Sequence, residues 1–275
     1  MIKLPELAEV ETVKNTLKKR ILNKKITNVK IIYDKMIDND RTDFKNILLN
    51  NQFIDILRIG KWLIFELEKH YLLSHLRMEG KYFIKNIEEE VVKHKHIIIS
   101  FNDGTDLRYH DTRKFGRMKI IKKDELNSTE EIQKQGKDPF DESLNSDYLL
   151  CKFKNKKIPI KSVLLDQTII SGLGNIYADE VLFASEIFPT RSAETITKEE
   201  CDKIISTSRS ILEKSIQEGG TTIKSYTSSL GVTGNYQNYL KVHKKEGMSC
   251  PNCGNDIKRI KVGGRSTYYC EICQK

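Results

Sequence analysis

The sequence lacks any apolar run long enough to cross a bilayer, and its first residues lack the apolar core of a secretory signal. These absences exclude a membrane-spanning chain and predict a cytoplasmic protein that has no membrane partner. No internal repeat is visible, which excludes a repeat architecture. In a cytoplasmic chain with six cysteines, metal ligation or isolated thiols are more plausible than disulfides.

Acidic residues are the minority among the charged side chains. Lys and Arg together number 47 against 38 Asp and Glu, so the net charge is +9. A basic surface of this kind favours a polyanionic partner such as nucleic acid. A lysine-rich surface that serves only solubility has the same composition, so the charge alone leaves both interpretations open.

The apolar pattern changes along the 275 residues, a length that favours two domains over one. Apolar residues at helical spacing run from Leu7 to Ile21. Up to about residue 125, short runs rich in Ile, Val, Tyr and Phe alternate with turn signals. They predict a sandwich or flattened barrel with the first helix packed on it. Residues 145–220 have helical spacing, and residues 221–240, rich in Thr, Ser, Gly and Tyr, predict a loop.

The strongest local motif is a pair of C-x-x-C sequences at the C-terminus. Four thiolates complete the tetrahedral shell of zinc, so such a site is closed and structural. Redox C-x-x-C motifs normally occur singly, and we therefore predict one structural Zn²⁺. The segment between the pairs predicts a hairpin that holds Arg265 near its turn, although a solvated loop arginine is the alternative for this residue alone. The predicted ligands are Cys250, Cys253, Cys270 and Cys273.

A Gly-Leu-Gly turn at residues 172–174 precedes Asn175, which is predicted to begin a helix. Glycines let backbone amides approach a ligand closely, and a helix N-terminus attracts a phosphate. Such a turn can hold one DNA phosphate without reading base sequence. Most Gly-x-Gly turns only connect helices, so this motif is weak by itself.

Two further segments combine residues that suit insertion into a base stack. In YHDTRKFGR, Arg113 and Phe115 alternate along an extended segment, and in SHLRMEGKY, Met78 lies between two predicted strands. A cation, an aromatic ring and a flexible apolar side chain can wedge between bases. Each of them alone is more often a core or surface residue.

Together and in this order, these motifs resemble the formamidopyrimidine-DNA glycosylase family of bacterial repair enzymes. The motifs are PEL-x-EVET, GK in the first long hairpin, HLRMEGKY, HDTRKFG, LLDQ-x4-GLGNIYADE, GGTT, and a finger ending GR-x-T-x-x-C-x-x-CQ. The resemblance covers nearly the whole chain and implies an α+β multidomain fold. Its expected parts are an N-terminal β-sandwich with flanking helices (1–130), a helix-two-turn-helix domain (131–240) and a β-hairpin zinc finger (241–275).

The resemblance implies a bifunctional DNA glycosylase and AP lyase of base-excision repair. Such enzymes remove 8-oxoguanine and formamidopyrimidines from duplex DNA and nick the strand by β,δ-elimination. The damaged base must first be flipped out of the duplex, at a cost of a few kcal/mol. The expected partner is therefore double-stranded DNA with an oxidised purine or an abasic site. The expected form is a bacterial cytoplasmic monomer that associates with the nucleoid when it acts.

The catalytic residues of the family match five positions in this sequence. Pro5 matches the nucleophile, which attacks the sugar C1′ through a secondary amine. Glu6 matches the general acid/base and Glu9 a second, supporting acid. Lys61 and Arg265 match residues that take part in elimination.

The family's DNA contacts also match. Met78, Arg113 and Phe115 match wedge residues, and the 221–240 loop matches one that closes over the everted purine. The matching phosphate contacts are His94, Arg113, Lys156, Lys161, Asn175 and Arg265.

A rival enzyme class, a rival adaptor class and the first of two departures from the family pattern remain to be weighed. Endonuclease VIII-type enzymes for oxidised pyrimidines usually begin Pro-Glu-Gly, whereas Leu7 stands in the Gly position here, which favours a purine enzyme. Ala8 replaces the family's second proline, a mild change at a helix start. A zinc-ribbon adaptor would explain the C-terminal finger but not the first 125 residues.

The residues before Pro5 bear directly on activity. As written, the Pro5 nitrogen is an amide joined to Leu4, and its lone pair is delocalised. We expect that Leu4 corresponds to a non-ATG start codon, so that removal of the initiator methionine leaves Pro5 free. The alternative is a catalytically silent protein that binds lesions or abasic sites, in which Pro5 only starts a helix.

Overall fold

The computed structural model describes residues 5–221 and 234–275. Residues 1–4 and most of the predicted 221–240 loop lie outside this description. The chain consists of two compact units, Met1–Gln133 with Gly219–Gly234, and Lys134–Glu218 with Asn235–Lys275. Among the described residues, no helix combines the length and the apolar character that a membrane span needs.

The first unit begins with a helix and continues as two antiparallel sheets. The elements are α1 (Leu7–Ile21), β1 (Ile26–Ile31), α2 (Arg41–Leu48), β2 (Asp55–Ile59), β3 (Trp62–Glu66), β4 (His70–His75), β5 (Lys81–Asn86), β6 (Lys95–Phe101), β7 (Thr105–His110), β8 (Arg117–Lys122) and α3 (Glu130–Gln133), with 3-10 turns at Asp34–Met36 and Lys123–Ser128. One sheet has the strand order β1-β6-β7-β5 and the other β2-β3-β4-β8.

Both sheets and the first helix share one apolar core, which confirms the predicted sandwich. The helix contributes Val10, Val13 and Leu17, while Phe65 and Phe101 come from opposite sheets. Burial of each such side chain contributes about 2 kcal/mol to folding. The core therefore fixes the position of the helix on which the predicted nucleophile and acids lie.

The strand register brings several loops to one end of the sandwich. In one sheet Trp62 pairs with His75, which pairs with Arg117. The turn before β3, the loop after β4 and the loop before β8 therefore meet at the same edge. These are the segments that contain Lys61, Met78 and the residues 111–116.

The second unit is mainly helical and ends in a two-stranded hairpin. The predicted helix start at Asn175 is confirmed, and Gly263 and Gly264, both with positive φ, form the turn of the hairpin. The elements are α4 (Ser146–Phe153), α5 (Ile160–Leu164), α6 (Asn175–Ala184), α7 (Lys198–Gln217), β9 (Lys258–Val262) and β10 (Arg265–Tyr269), with 3-10 turns at Ala193–Thr195 and Tyr236–Asn238.

Candidate active site and nucleic-acid interface

Pro5, Glu6 and Glu9 lie together at the buried start of α1. The Glu9 carboxylate accepts a hydrogen bond from the Glu6 backbone N–H at 3.0 Å. Its other oxygen accepts from the backbone N–H and the hydroxyl of Thr221, at 2.8 and 2.9 Å. Glu9 therefore joins the start of the helix to the beginning of the segment that follows Gly220.

Gly220 is required beside this carboxylate. Its φ is +83°, and a Cβ atom there would lie 3.1 Å from Glu9 Oε1. A side chain would therefore be strained by the backbone and crowded by Glu9. Sequence reasoning did not identify Thr221 as a partner of Glu9, because the two positions are 212 residues apart.

Lys61 lies in the turn before β3, close to a histidine that sequence reasoning missed. His75 pairs with Trp62 across the sheet, and their rings meet edge to face with their centroids 4.8 Å apart. Burial, together with the positive charges of Arg77 and Lys61, lowers the pKa of His75 to about 3. The neutral ring accepts the Arg77 backbone N–H on Nδ1 at 2.9 Å, and so shapes the loop that leads to Met78.

The two predicted wedge segments form tight loops at the same end of the sandwich. Met78 is half-buried, whereas Phe115 is 46% exposed and lies under the Arg113 guanidinium at 4.6 Å. Buried Asp111 closes the second loop by accepting the backbone N–H groups of Arg113 and Gly116, at 3.0 and 2.8 Å. The exposed ring and its guanidinium are thus held by a rigid turn.

One tyrosine lies against both wedge loops. A Cβ atom on Gly116 would lie 1.8 Å from the Tyr109 hydroxyl, and one on Gly80 would lie 2.2 Å from the same oxygen. Both glycines are therefore needed where the loops close on this side chain. The glycines of HLRMEGKY and HDTRKFG were visible in the sequence, but their common neighbour was not.

Lys161 is not available for the phosphate contact predicted from the sequence. Its side chain is fully buried, and Nζ lies 2.7 Å from Asp179 Oδ1 and 2.8 Å from Thr267 Oγ1. The second oxygen of Asp179 lies 2.7 Å from Nδ1 of His243. The amine is thus paired inside the second unit. The expected phosphate contact of Lys161 is therefore corrected, and the side chain instead stabilises the packing around Asp179 and Thr267.

The remaining predicted phosphate contacts occupy accessible positions. Asn175 begins α6 and donates from Nδ2 to the carbonyl of Ser266 at 2.9 Å, which brings it beside exposed Arg265 at the start of β10. Lys156 is half-buried in the turn after α4, and His94 is exposed just before β6.

The four predicted zinc ligands form one compact cluster. Their sulfur atoms all lie within 4.8 Å of one another, with Cys253 and Cys270 at 3.4 Å and Cys250 and Cys273 at 3.8 Å. Thiolates at about 2.3 Å from a tetrahedral zinc are about 3.8 Å apart, so the cluster fits one Zn²⁺. It packs against Phe183 of α6, which ties the finger to the helical unit.

Comparison with known proteins identifies the family. The sequence profile of the formamidopyrimidine-DNA glycosylase N-terminal domain matches residues 4–118, and the profile of that enzyme's H2TH domain matches residues 135–227. A third profile, the zinc finger found in FPG and IleRS, matches residues 249–275. The chain belongs to the formamidopyrimidine-DNA glycosylase family.

Similar proteins cover the chain from end to end. A formamidopyrimidine-DNA glycosylase of Bacillus cereus (strain ATCC 10987 / NRS 248) is 41% identical over 98% of this chain and 99% of its own. One from Ligilactobacillus salivarius is 43% identical over the same shares.

Solved structures agree with the sequence comparison. Lactococcus lactis Fpg in complex with abasic-site DNA has a TM-score of 0.93 at 38% identity, covering 98% of this chain and 99% of that one. The complex of that protein with N7-benzyl-Fapy-dG DNA has the same TM-score and identity.

Membership of this family makes the protein a DNA-formamidopyrimidine glycosylase of base-excision repair, with DNA as its partner and one structural zinc. The relatives do not favour a catalytically silent paralogue or an endonuclease VIII-like enzyme. The expected α+β fold, with its N-terminal sandwich, H2TH domain and hairpin zinc finger, is confirmed.

Proposed function

We propose that this protein excises 8-oxoguanine and formamidopyrimidines from duplex DNA and then cuts the strand by β- and δ-elimination. The observation that carries this proposal is the buried cluster of Pro5, Glu6 and Glu9 at the start of α1. The proposal includes a monomeric, cytoplasmic enzyme that associates with the nucleoid. It also includes a division into a catalytic sandwich (1–130), a helical DNA-binding domain (131–240) and a zinc finger (241–275).

The chemistry assigned to Pro5 is nucleophilic. The lone pair of its amine forms a bond to the sugar C1′ while the glycosidic bond breaks, and the base leaves with a proton. Glu6 protonates the ring oxygen O4′, so the sugar opens and an iminium forms between Pro5 and C1′. The iminium accepts electrons when a C2′ proton is removed, and the 3′ phosphate departs. Loss of the 5′ phosphate follows in the same way, and we assign Lys61 and Arg265 to these elimination steps.

This mechanism requires a free amine on Pro5. An amide nitrogen has no available lone pair, whereas an α-amine titrates near pH 8 and is partly neutral at pH 7. The active species must therefore be a chain whose first residue is Pro5. Glu9 supports the site indirectly, because it orders the first turn of the helix and the segment at Thr221.

DNA binding in this proposal depends on phosphate contacts and a wedge. His94, Lys156 and Arg265 are accessible cations or potential cations, and Asn175 begins a helix whose N-terminus suits a phosphate. Arg113 serves both the phosphate backbone and the wedge, together with Met78 and Phe115. The wedge fills the space that the everted base leaves.

A trapping experiment tests the nucleophile. Two proteins are compared on an 8-oxoguanine duplex with borohydride, which reduces an iminium to a stable covalent adduct. One protein is made as written and the other starts Met-Pro5, from which the methionine is removed. The second should form the adduct, and the first should form it only if mass spectrometry shows that its leader has been trimmed. An undamaged duplex is the control for both.

If the full-length chain, with its first four residues confirmed by mass, forms the adduct equally well, another amine is the nucleophile. If neither protein forms an adduct but both bind the abasic duplex, the lyase chemistry is wrong and only the DNA-binding part of the proposal stands.

A further inference from the structure

Three basic side chains lie directly opposite one another across three neighbouring strands of the first sheet. Lys81 at the start of β5 pairs with His110 at the end of β7, and His110 pairs with Lys95 at the start of β6. Like charges in facing positions destabilise an antiparallel sheet. Protonation of all three side chains would therefore place like charges in facing positions along the row.

Lys95 has the least favourable surroundings of the three. It is only 7% exposed, and its ammonium lies 3.7 Å from the centre of the Phe83 ring. Burial, followed by the positive charges of Arg108, Lys85 and Lys81, lowers its pKa to about 8. Within residues 5–221 and 234–275, no carboxylate lies within ion-pair distance of this ammonium.

His110 has one ring nitrogen whose hydrogen-bonding capacity is unmet within the described residues. Its Nδ1 atom is buried and has no hydrogen-bond partner in the described part of the chain. The ring lies 5.8 Å from that of Phe83 and 5.8 Å from that of exposed His94. Burial, and then the charges of Lys95 and Lys81, lower its pKa to about 4.

Two acidic groups, Glu79 and Asp111, act on this row, and the carboxylate of Asp111 is engaged in backbone hydrogen bonds. Glu79 and Asp111 act on Lys81 from a distance and partly offset the burial that lowers its pKa. Both oxygens of Asp111 accept backbone N–H groups of the 111–116 loop. The other charged groups on the surrounding strands are Arg108 with Asp106, Lys85 with Glu89, His94, and His96, whose ring bonds to the Asp111 carbonyl.

The row lies at the DNA-facing end of the sandwich assigned above. β5 begins immediately after the Met78 loop, β7 ends immediately before the loop of Arg113 and Phe115, and β6 begins immediately after His94. We propose that Lys81, Lys95 and His110 form an additional anion site that takes a backbone phosphate of the bound DNA. This inference rests on the DNA binding of the proposed function, which it extends by one contact site.

The physical reason is that these basic groups have hydrogen-bonding capacity that the described residues do not satisfy. Lys95 has donor hydrogens that no described side-chain acceptor satisfies, and a phosphate oxygen would satisfy them and relieve the repulsion within the row. Binding of an anion favours protonated Lys95, so affinity for DNA should fall as the pH rises through about 8. In the free protein, the burial and mutual repulsion of these side chains lower stability. We attribute this loss of stability to the requirements of anion binding and not to those of folding.

Lys95→Met tests this site, because it removes the charge and keeps a side chain of similar length. Binding to a duplex with a tetrahydrofuran abasic analogue is measured from low to moderate salt. The slope of log affinity against log salt should become shallower by about one in the variant. The loss of affinity between pH 7 and 9 should also be smaller than in the unaltered protein. Lys30→Met, an exposed lysine of β1, is the matched control and should change neither quantity.

Stability separates a binding role from a structural one. Because Lys95→Met removes an unpaired buried charge, its melting temperature should be equal to or higher than that of the parent. An unchanged salt slope overturns the proposal, and so does a folded Lys95→Met variant whose melting temperature is lower than that of the parent, because that would show a structural role for the charge. Should Lys95→Met fold poorly, Lys81→Met removes the other lysine of the row and should likewise make the salt slope shallower.

A spectroscopic measurement identifies the ligand. The ring resonances of His110 should shift on addition of the duplex, and inorganic phosphate alone should produce a weaker, saturable shift. If the His110 resonances shifted with inorganic phosphate but not with the duplex, the assignment of the ligand to DNA would be wrong. If they shifted with neither, the anion site itself would be excluded. Borohydride trapping of Lys95→Met in its Pro5-first form reports separately on the chemistry, so failure of the lyase proposal leaves this test intact.

Discussion

The ammonium of Lys161 lies 2.7 Å from the carboxylate of Asp179, and neither side chain is exposed to solvent. Replacement of Lys161 by Met should therefore lower the free energy of unfolding by about 3 kcal/mol, because the buried Asp179 carboxylate loses its lysine partner and keeps only His243 among the described residues. Chemical denaturation of the purified protein measures this loss. By contrast, Lys156→Ala should leave stability within about 0.5 kcal/mol and weaken DNA binding.

The matched double variant gives the control. Lys161→Met combined with Asp179→Asn removes both charges and should recover part of the lost stability. If Lys161→Met were as stable as the parent and simply bound DNA less tightly, the direct phosphate contact predicted from the sequence would be correct after all.

Glu9 should be needed for order at the start of α1 as well as for activity. In Glu9→Gln, one of the oxygens that accept from Glu6 and Thr221 is replaced by an NH₂ group, which would face a donor. We expect a loss of about 1–3 kcal/mol in the free energy of unfolding and slower excision of 8-oxoguanine. Denaturation and single-turnover excision measure the two effects.

Glu213→Gln, at an exposed position of α7, is the control and should change neither quantity. A Glu9→Gln variant with normal stability and normal excision would show that the three hydrogen bonds to this carboxylate are dispensable.

The wedge residues should affect base extrusion more than strand cleavage. Phe115→Ala and Met78→Ala should slow the release of 8-oxoguanine and largely spare cleavage at a preformed abasic site, because that substrate has no base to extrude. The ratio of the two single-turnover rates is the measurement. Equal losses on both substrates would exclude the wedge role for that residue.

Zinc should stabilise the hairpin that carries Arg265. Freshly purified protein should contain one zinc per chain by elemental analysis. Cys250→Ser should release the metal, loosen β9 and β10 and sharply reduce affinity for abasic DNA. Cys151→Ser, which changes an exposed cysteine outside the cluster, should retain both zinc and affinity. Absence of zinc from the unaltered protein would contradict this assignment.

Local sequence patterns were sufficient for the parts of the protein that depend on near neighbours. Three local patterns predict features that the structure shows: the helical spacing from Leu7 to Ile21, the hairpin with Gly263 and Gly264, and the two C-x-x-C pairs. Each depends on a period, a turn or a ligand pair within a few residues, which sequence alone determines. The ordered set of motifs also determined the family.

The tertiary structure decided what each polar side chain is free to do. Lys161 matches a phosphate-binding position by sequence, but α6 and β10 enclose it and provide Asp179 and Thr267 as partners. Lys81, Lys95 and His110 carry no recognisable motif and become a row only through the strand register. Burial and pairing depend on residues distant in the chain, so no local pattern records them. For that reason the sequence determined the fold and the class of chemistry. Only the packing decided which cationic side chains are accessible to a ligand and which are paired inside the protein.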